Sequence, residues 1–354
     1  MTTMTSFLDS DEQVLLESAR NGDEDAYREL IETHRSELHA HCYRMLASVD
    51  DADDAVQDTL LRAWRGLDRF EGRSSVRTWL FKIATNAALD VSKGRARRAV
   101  PVGIGHPSSY GGDPDAPLVD TLWVEPYPSE RYVTSSVRAT PEARYESRES
   151  LELAFVAALQ LLPANQRAVL ILREVVGYSA FEIAALLNTT VAAVNSSLQR
   201  ARSTARPLLP AVSQQSVLCE LGDVKVRALA QRFCNAIEEG DTVGLLALLT
   251  ENATWSMPPL PRWYQGLASI EAFHIGSVAP QRWRRVAVRA NCQLAIAGYI
   301  FDDDRQCFAA AVIDVLTLEG DRISSVTAFL SMDLGGFVGA DVFPRFGLPL
   351  ELPA

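Results

Sequence analysis

The sequence predicts a multidomain chain in which two all-helical bodies, the second a helix-turn-helix, precede an α+β body. Three observations carry this expectation. Apolar residues keep a helical spacing through residues 11–98 and again through 148–206, a Pro- and Gly-dense acidic stretch with no period separates the two, and period-2 runs appear only after residue 250. At 354 residues the chain has room for two or three domains, and its 47% hydrophobic content excludes wholesale disorder. No run of 18 apolar residues occurs, so no membrane span is expected. Residues 1–10 lack a basic segment followed by an apolar one, so a cytoplasmic protein is expected. Five scattered cysteines without a C-x-x-C pair read as reduced thiols, with neither disulfide nor zinc.

Taken in order, residues 11–99 form the first body. Val14, Leu15, Ala19, Ala26, Leu30 and Ile31 set two helices with a break at Asn21-Gly22. Over 51–67, Ala52, Ala55, Val56, Thr59, Leu60, Ala63 and Trp64 form one buried stripe, with acids at its N-terminus where the free amides favour them. The opposite face shows Asp54, Gln57, Asp58, Leu61, Arg62 and Arg65, and a leucine among charges hints at docking. Residues 70–75 read as a loop, and Ser75 as the cap of a helix carrying Trp79, Leu80, Ile83, Ala84 and Ala87. That helix runs into Lys93, Arg95, Arg97 and Arg98.

Residues 100–147 read as a flexible linker, with Trp123, Val124 and Tyr127 able to dock on a neighbour. The second body, 148–210, closes with two short helices joined at Asn188-Thr189-Thr190. The third, 215–333, begins with helices. Strands of an expected antiparallel sheet follow around Ala253-Trp255-Met257, from Val286 through Ala290 and Cys292 to Ile296, around Phe308–Val312, and from Ile323 to Phe329. The tail, 334–354, is too apolar to hang free.

The net charge of −11 excludes nucleic-acid binding by bulk attraction. Only 148–210 is net positive, with six basic and four acidic residues, so any such contact is local. The outward face of the last helix there offers Thr190, Ala193, Ser196, Ser197, Gln199, Arg200 and Ser203, small and polar groups suited to a major groove. A second nucleic-acid candidate is the 70–98 region. Trapping an unpaired base takes stacking rings, edge readers and cations. Phe70, Trp79 and Phe81 supply rings, Asn86 and the 74–78 loop supply edge readers, and Arg73, Arg77, Lys82 and the 93–98 cluster supply cations.

Three motifs in order then become recognisable: DDAVQDTLLRAW at 53–64, FEGRSSVRTWLFKIATN at 70–86, and LLPANQR at 161–167 with the helix pair at 178–201. Residues 11–98 and 148–206 resemble a bacterial RNA polymerase sigma factor of the extracytoplasmic-function type, over about 150 of 354 residues. The resemblance implies a factor, not an enzyme, whose partners are the RNA polymerase core and promoter DNA. It makes Asp54, Gln57, Asp58, Leu61 and Arg65 the core-binding face. Phe70, Arg73, Ser74, Ser75, Arg77, Trp79 and Asn86 become the pocket for a flipped base of the −10 element, with Lys93, Arg95, Arg97 and Arg98 on phosphates. Thr190, Ala193, Ser196, Ser197, Gln199, Arg200 and Ser203 become the −35 readers.

The third body resembles a SnoaL-like (NTF2-like) domain, a cone of sheet and helices, on its element order and the stretch MPPLPRWYQG at 257–266. By resemblance it regulates in cis and could hold a small ligand in a pocket lined by Trp255, Met257, Trp263, Tyr264, His274, Arg289 and Asp314. A His274–Asp314 pair could abstract a proton if the two meet, although protein-contact regulation is the favoured role. His34, His39 and His41 fit no zinc spacing and are expected to be structural, and no cofactor or metal is expected. No phosphate-binding glycine loop occurs, so promoter opening must draw on binding energy. A helix-turn-helix regulator independent of polymerase, and an enzyme centred on the C-terminal pocket, remain as alternatives.

Overall fold

The computed structural model describes residues 10–103, 105–108, 121–130, 141–331 and 342–354. The chain divides into two compact units. One comprises residues 1–95, 132–150 and 154–209; the other comprises 96–131, 151–153 and 210–354.

The first unit begins with helices α1 (Ser10–Arg20), α2 (Glu24–Leu46), α3 (Val49–Gly66) and α4 (Val76–Ser92). Each helix after the first has the cap its sequence offers. Asp23 accepts from the amides of Asp25 and Ala26, Ser48 from Asp51, and Ser75 from Thr78. The α3 stripe is buried as its spacing requires, through Val49, Ala52, Ala55, Val56, Thr59 and Ala63. The later helices are α5 (Pro141–Glu149), α6 (Leu153–Gln160), α7 (Ala164–Glu174), α8 (Ala180–Leu186) and α9 (Val191–Ala205). A capping box at Ser179 and Glu182 starts α8, and Asn188 in the left-handed region turns the chain into α9.

The two helical stretches share this unit, tied by buried side chains. Arg167, 6% exposed, donates to the carbonyls of Leu159 (2.9 Å), Gln160 (3.3 Å), Leu162 (3.2 Å) and, on α2, Met45. Gln160 donates to the Arg44 carbonyl (3.3 Å), and Arg44 to those of Ser147 (3.1 Å) and Ser150 (3.2 Å). Buried helix ends thereby have their leftover carbonyls satisfied.

The second unit is built on a sheet of order β2-β1-β6-β5-β4-β3, with β7 paired to β5. Its elements are α10 (Gln214–Glu238, broken at Gly222 with φ 72°), α11 (Thr242–Ala247), β1 (Leu249–Ser256), β2 (Trp263–Gln265), α12 (Leu267–Phe273), β3 (Trp283–Ala290), β4 (Gln293–Asp302), β5 (Cys307–Glu319), β6 (Arg322–Leu330), α13 (Val342–Arg345) and β7 (Glu351–Pro353). Helices pack on one face, where Phe233 and Ile237 of α10 join Trp255, Ile296, Val312, Leu316 and Val326 in one core.

Two expectations about this sheet are corrected. The sheet is mixed rather than antiparallel throughout, because β1 runs parallel to β6. The alternating run from Val286 to Ile296 is a hairpin, turned at Asn291 and Cys292, which both take positive φ (53° and 58°).

Two stretches outside the cone also pack on it. Val124 and Tyr127, inside the expected linker, are 2% and 0% exposed. Asn291 accepts from the Tyr127 amide (2.9 Å) and donates to the Leu151 carbonyl (3.0 Å). In the tail, Phe343 is fully buried against Tyr299 (5.0 Å between ring centres), whose hydroxyl donates to the Pro349 carbonyl.

Candidate nucleic-acid interface

A cleft of about 790 Å³ opens at the 70–75 loop. The α3–α4 connection positions one wall: Phe70, Arg73, Ser74, Ser75 and Trp79, together with Arg69 and Lys82. Phe70 is only 5% exposed and stacks on Trp79 (4.7 Å, 29°), so it forms the floor and Trp79 the accessible ring. Ser75 is committed to capping α4, and Arg73 meets Glu71 at 2.5 Å. The other wall is α8, through Phe181, Glu182, Ala185 and Leu186. Phe181, 75% exposed, was not anticipated. The signal was there, because it lies off the apolar stripe of Ile183, Ala184 and Leu186.

The structure leaves several expected members outside the cleft. Asn86 stands two helical turns beyond Trp79, about 10 Å along α4. Arg77 pairs with Glu37 (2.8 Å) and lies over the rings of Phe81 (4.8 Å) and Tyr178 (5.9 Å), so it braces the unit internally. Phe81 itself is buried core, 2% exposed. Lys93 pairs with Asp90 (2.7 Å) and Arg95 with Asp51 (2.6 Å), both at the exposed surface where such pairs are weak. Arg97 is exposed. In the second unit Arg98 donates to the Trp123 carbonyl (2.8 Å) and meets Glu125 (3.2 Å) with its side chain 12% exposed, which withdraws it from phosphate.

Along α3, Asp54, Gln57, Leu61 and Arg65 are exposed and Asp58 half-buried. Arg62 bridges Asp58 (2.7 Å) and Asp90 (3.2 Å), which fixes the charged border of the face around Leu61. Both Asp90 and Arg62 are shifted toward their charged forms. Hydrogen bonds from Lys93 and then Arg62 lower Asp90, and hydrogen bonds to Asp90 and Asp58 outweigh desolvation at Arg62.

On α9, Val194, Leu198, Ala201 and Ala205 face inward. Ala193, Ser196, Gln199, Arg200 and Ser203 are exposed, and Ser197 is half-buried within 3.4 Å of Arg200. Thr190 uses its hydroxyl to cap the helix, and Arg202 is engaged by Glu174 (2.6 Å). The row from Ala193 to Ser203 therefore stays open for groove contacts.

In the second unit most of the side chains expected to line an interior pocket are buried. Trp255 lies between Phe233 (6.2 Å) and Phe273 (5.8 Å), and Tyr264 stacks on Phe273 (4.8 Å). Trp255, Met257, Trp263 and Tyr264 are each at most 7% exposed. His274 and Asp314 have separate partners: His274 Nδ1 lies 2.9 Å from the Thr242 hydroxyl, and Asp314 Oδ2 2.5 Å from Arg285 Nη1. Desolvation, reinforced by the Arg285 charge, pushes His274 below its usual value. Burial raises Asp314, with the Arg285 charge and hydrogen bond pulling it back. Arg285 was missed, although its cross-strand neighbour Gly298 marked the place. A Cβ there would meet Arg285 Nη1 at 2.6 Å. Of the expected pocket residues, Arg289 alone borders the cleft of about 660 Å³ beside α10. Among the described residues no group of three or more acidic, His or Cys side chains could hold a metal, and no helix is long and apolar enough to cross a membrane.

Comparison with known proteins completes the description. Residues 30–98 match Sigma-70 region 2, 152–204 Sigma-70 region 4, and 230–326 the SnoaL-like domain. The chain is 41% identical over 339 residues to the ECF RNA polymerase sigma factor SigG of Mycobacterium tuberculosis, covering 94% of this chain and 86% of that protein. It is 28% identical to SigW of Bacillus subtilis over 55% of this chain and 94% of that one. The crystal structure of the M. tuberculosis extracytoplasmic function sigma factor SigJ superposes with a TM-score of 0.54 at 18% identity, covering 90% of this chain and 98% of that chain. That last likeness speaks for the fold.

Proposed function

Because the chain belongs to the extracytoplasmic-function RNA polymerase sigma factors, we propose that its three surfaces divide the work of promoter-specific initiation. The α3 face around Leu61 docks on the polymerase core. The Phe70–Trp79 cleft captures an unstacked base of the −10 element. The α9 row from Ala193 to Ser203 reads the −35 element as duplex. The C-terminal SnoaL-like domain modulates this activity in cis. The chain acts where RNA polymerase acts, in the cytoplasm, as a binding factor rather than an enzyme. The separate partners of His274 and Asp314 support that last point.

The observation that carries the reading is the cleft itself. It gathers a half-exposed indole stacked on a buried phenyl ring, two serines and cationic side chains at one loop. Base stacking on an aromatic face contributes about 1–3 kcal/mol per base and needs no base-specific geometry. Cations alone would not suffice in a chain of net charge −11, so the DNA contacts gain strength once both modules are held on one large partner.

Run-off transcription with purified core polymerase tests the assignment, on a promoter recovered by the holoenzyme from a random-sequence library. The full chain should direct transcripts that core alone does not make. Leu61→Asp should abolish both transcripts and co-elution with core, whereas Arg200→Ala should lose −35-dependent transcripts while still co-eluting. Transcripts unaffected by Leu61→Asp would overturn the docking assignment.

A further inference from the structure

We propose that the cleft beside α10 in the C-terminal domain is a binding site for an amphipathic monocarboxylate, a small molecule with an apolar body and one carboxylate head. The cleft holds about 660 Å³, within the range of small-molecule sites. Its floor is apolar and already dry: Val226 and Ala230 of α10 and Leu294 of β4 are each at most 7% exposed, and Leu218 and Ala287 extend the same surface.

The rim has the opposite character. Arg227, Arg289 and Arg345 come to one opening from α10, β3 and α13, against one carboxylate, Glu130, among the described lining residues. Arg289 and Glu130 stand 3.8 Å apart, at the long limit of an ion pair, with both side chains substantially exposed. Arg345 meets Glu125 at 3.4 Å. Arg227 has no hydrogen-bond or ion-pair partner among the described residues. In a chain of net charge −11, three guanidinium groups around an apolar floor select an anion whose remainder is apolar. A planar carboxylate matches the fork of a guanidinium. A naked inorganic anion would leave the floor unused, and a neutral apolar molecule would leave the rim unused.

Two walls of the cleft give the site a consequence. Pro128 and Glu130 belong to the stretch that connects the two helical parts in sequence, and Pro344–Gly347 belong to the C-terminal segment. A carboxylate bound to Arg289 and Arg345 competes with Glu130 and Glu125 for those two guanidinium groups, and so couples the site to that connecting stretch. The binding does not depend on the transcriptional reading above; only its effect on transcription does.

Titration calorimetry on the full chain tests the proposal, with decanoate below its micellar concentration, decan-1-ol and inorganic phosphate as probes. Decanoate should bind at one site per chain. Decan-1-ol should bind at least about tenfold more weakly, the loss expected when a charge-assisted contact goes unmade, and phosphate should show no saturable binding. The double variant R227Q/R289Q, both residues at the exposed rim, should bring decanoate down to the decan-1-ol level. Ala287→Trp, at an exposed position, should fill the cleft and remove both. Equal affinity for decanoate and decan-1-ol, saturable phosphate binding, or unchanged decanoate affinity in either variant would overturn it. Because calorimetry reads binding alone, its failure is separable from failure to direct transcription.

Discussion

His41 makes the helical unit sensitive to acid. Its Nε2 lies 2.9 Å from the Thr85 hydroxyl, and that hydroxyl donates its one proton to the Phe81 carbonyl at 2.7 Å. Thr85 must therefore accept, so His41 is the neutral tautomer with the proton on Nε2. Its Nδ1 is buried and has no partner among the described residues. A second proton would place an unpaired charge in the core, near Arg44 and Arg77. Burial first, then those two arginines, push the imidazole down from 6.5 to about 3. The folded value is the depressed one, so the unfolded chain takes up a proton below pH 6.5 while the folded chain does not. Stability is complete above pH 6.5 and is lost as pH falls toward 3. At about 1.4 kcal/mol per pH unit, lowering the pH from 7 to 4 costs about 3 kcal/mol through this one residue.

Comparing the wild-type chain with His41→Gln isolates that contribution, because other titrating groups cancel in the difference. Urea unfolding can be followed by hydrogen–deuterium exchange of the α2 and α4 peptides between pH 4 and 7.5. The wild type should lose about 3 kcal/mol more than the variant over that interval. A difference that stays flat, within about 1 kcal/mol across the range, would refute the burial argument.

Further expectations concern the contacts inside each unit. Arg167→Met removes a guanidinium serving four carbonyls on α2, α6 and the turn after α6. It should cost about 4 kcal/mol in urea unfolding, and a loss below about 1 kcal/mol would contradict the tie. Asn291→Ala removes the side-chain hydrogen bonds to the buried Tyr127 amide and Leu151 carbonyl, an effect of about 3 kcal/mol. It should appear as lost exchange protection over residues 121–130, and retained protection would count against Asn291 as their anchor. Gly298→Ala places a methyl group 2.6 Å from Arg285 Nη1 and 2.8 Å from Val312 Cγ1. The Arg285–Asp314 pair must then break or shift, and the C-terminal domain should melt at lower temperature. An unchanged melting temperature would mean that the pair has room to move.

Where one face of an element decides the pattern, the sequence was enough. The α3 stripe, the Ser75 cap and the inward row of α9 follow from 3.6-residue spacing and cap chemistry alone. The β3–β4 hairpin was illegible for a parity reason. A two-residue turn leaves the alternation of apolar residues unbroken while it exchanges the faces, so Val286 and Val288 lie opposite Ala297 and Ala295, whereas Ile296 pairs with Ala287. The same exchange hid Arg285, which occupies the inner phase of β3 and takes the carboxylate that the sequence had offered to His274. Arg77 and Arg98 read as cations for DNA because charge is visible in a sequence and a long-range partner is not. Glu37 and Glu125 stand 40 and 27 residues away from them.

Permanganate footprinting of the open complex tests the central claim most directly, that the Phe70–Trp79 cleft captures an unstacked promoter base. Trp79→Leu keeps apolar bulk over Phe70 but removes the stacking surface. The wild-type holoenzyme should make thymines near the −10 element reactive. The Trp79→Leu holoenzyme should assemble with core and bind the same promoter, yet leave those thymines protected. Equal reactivity with both proteins, or none with a wild-type chain that is bound to core, would contradict the account.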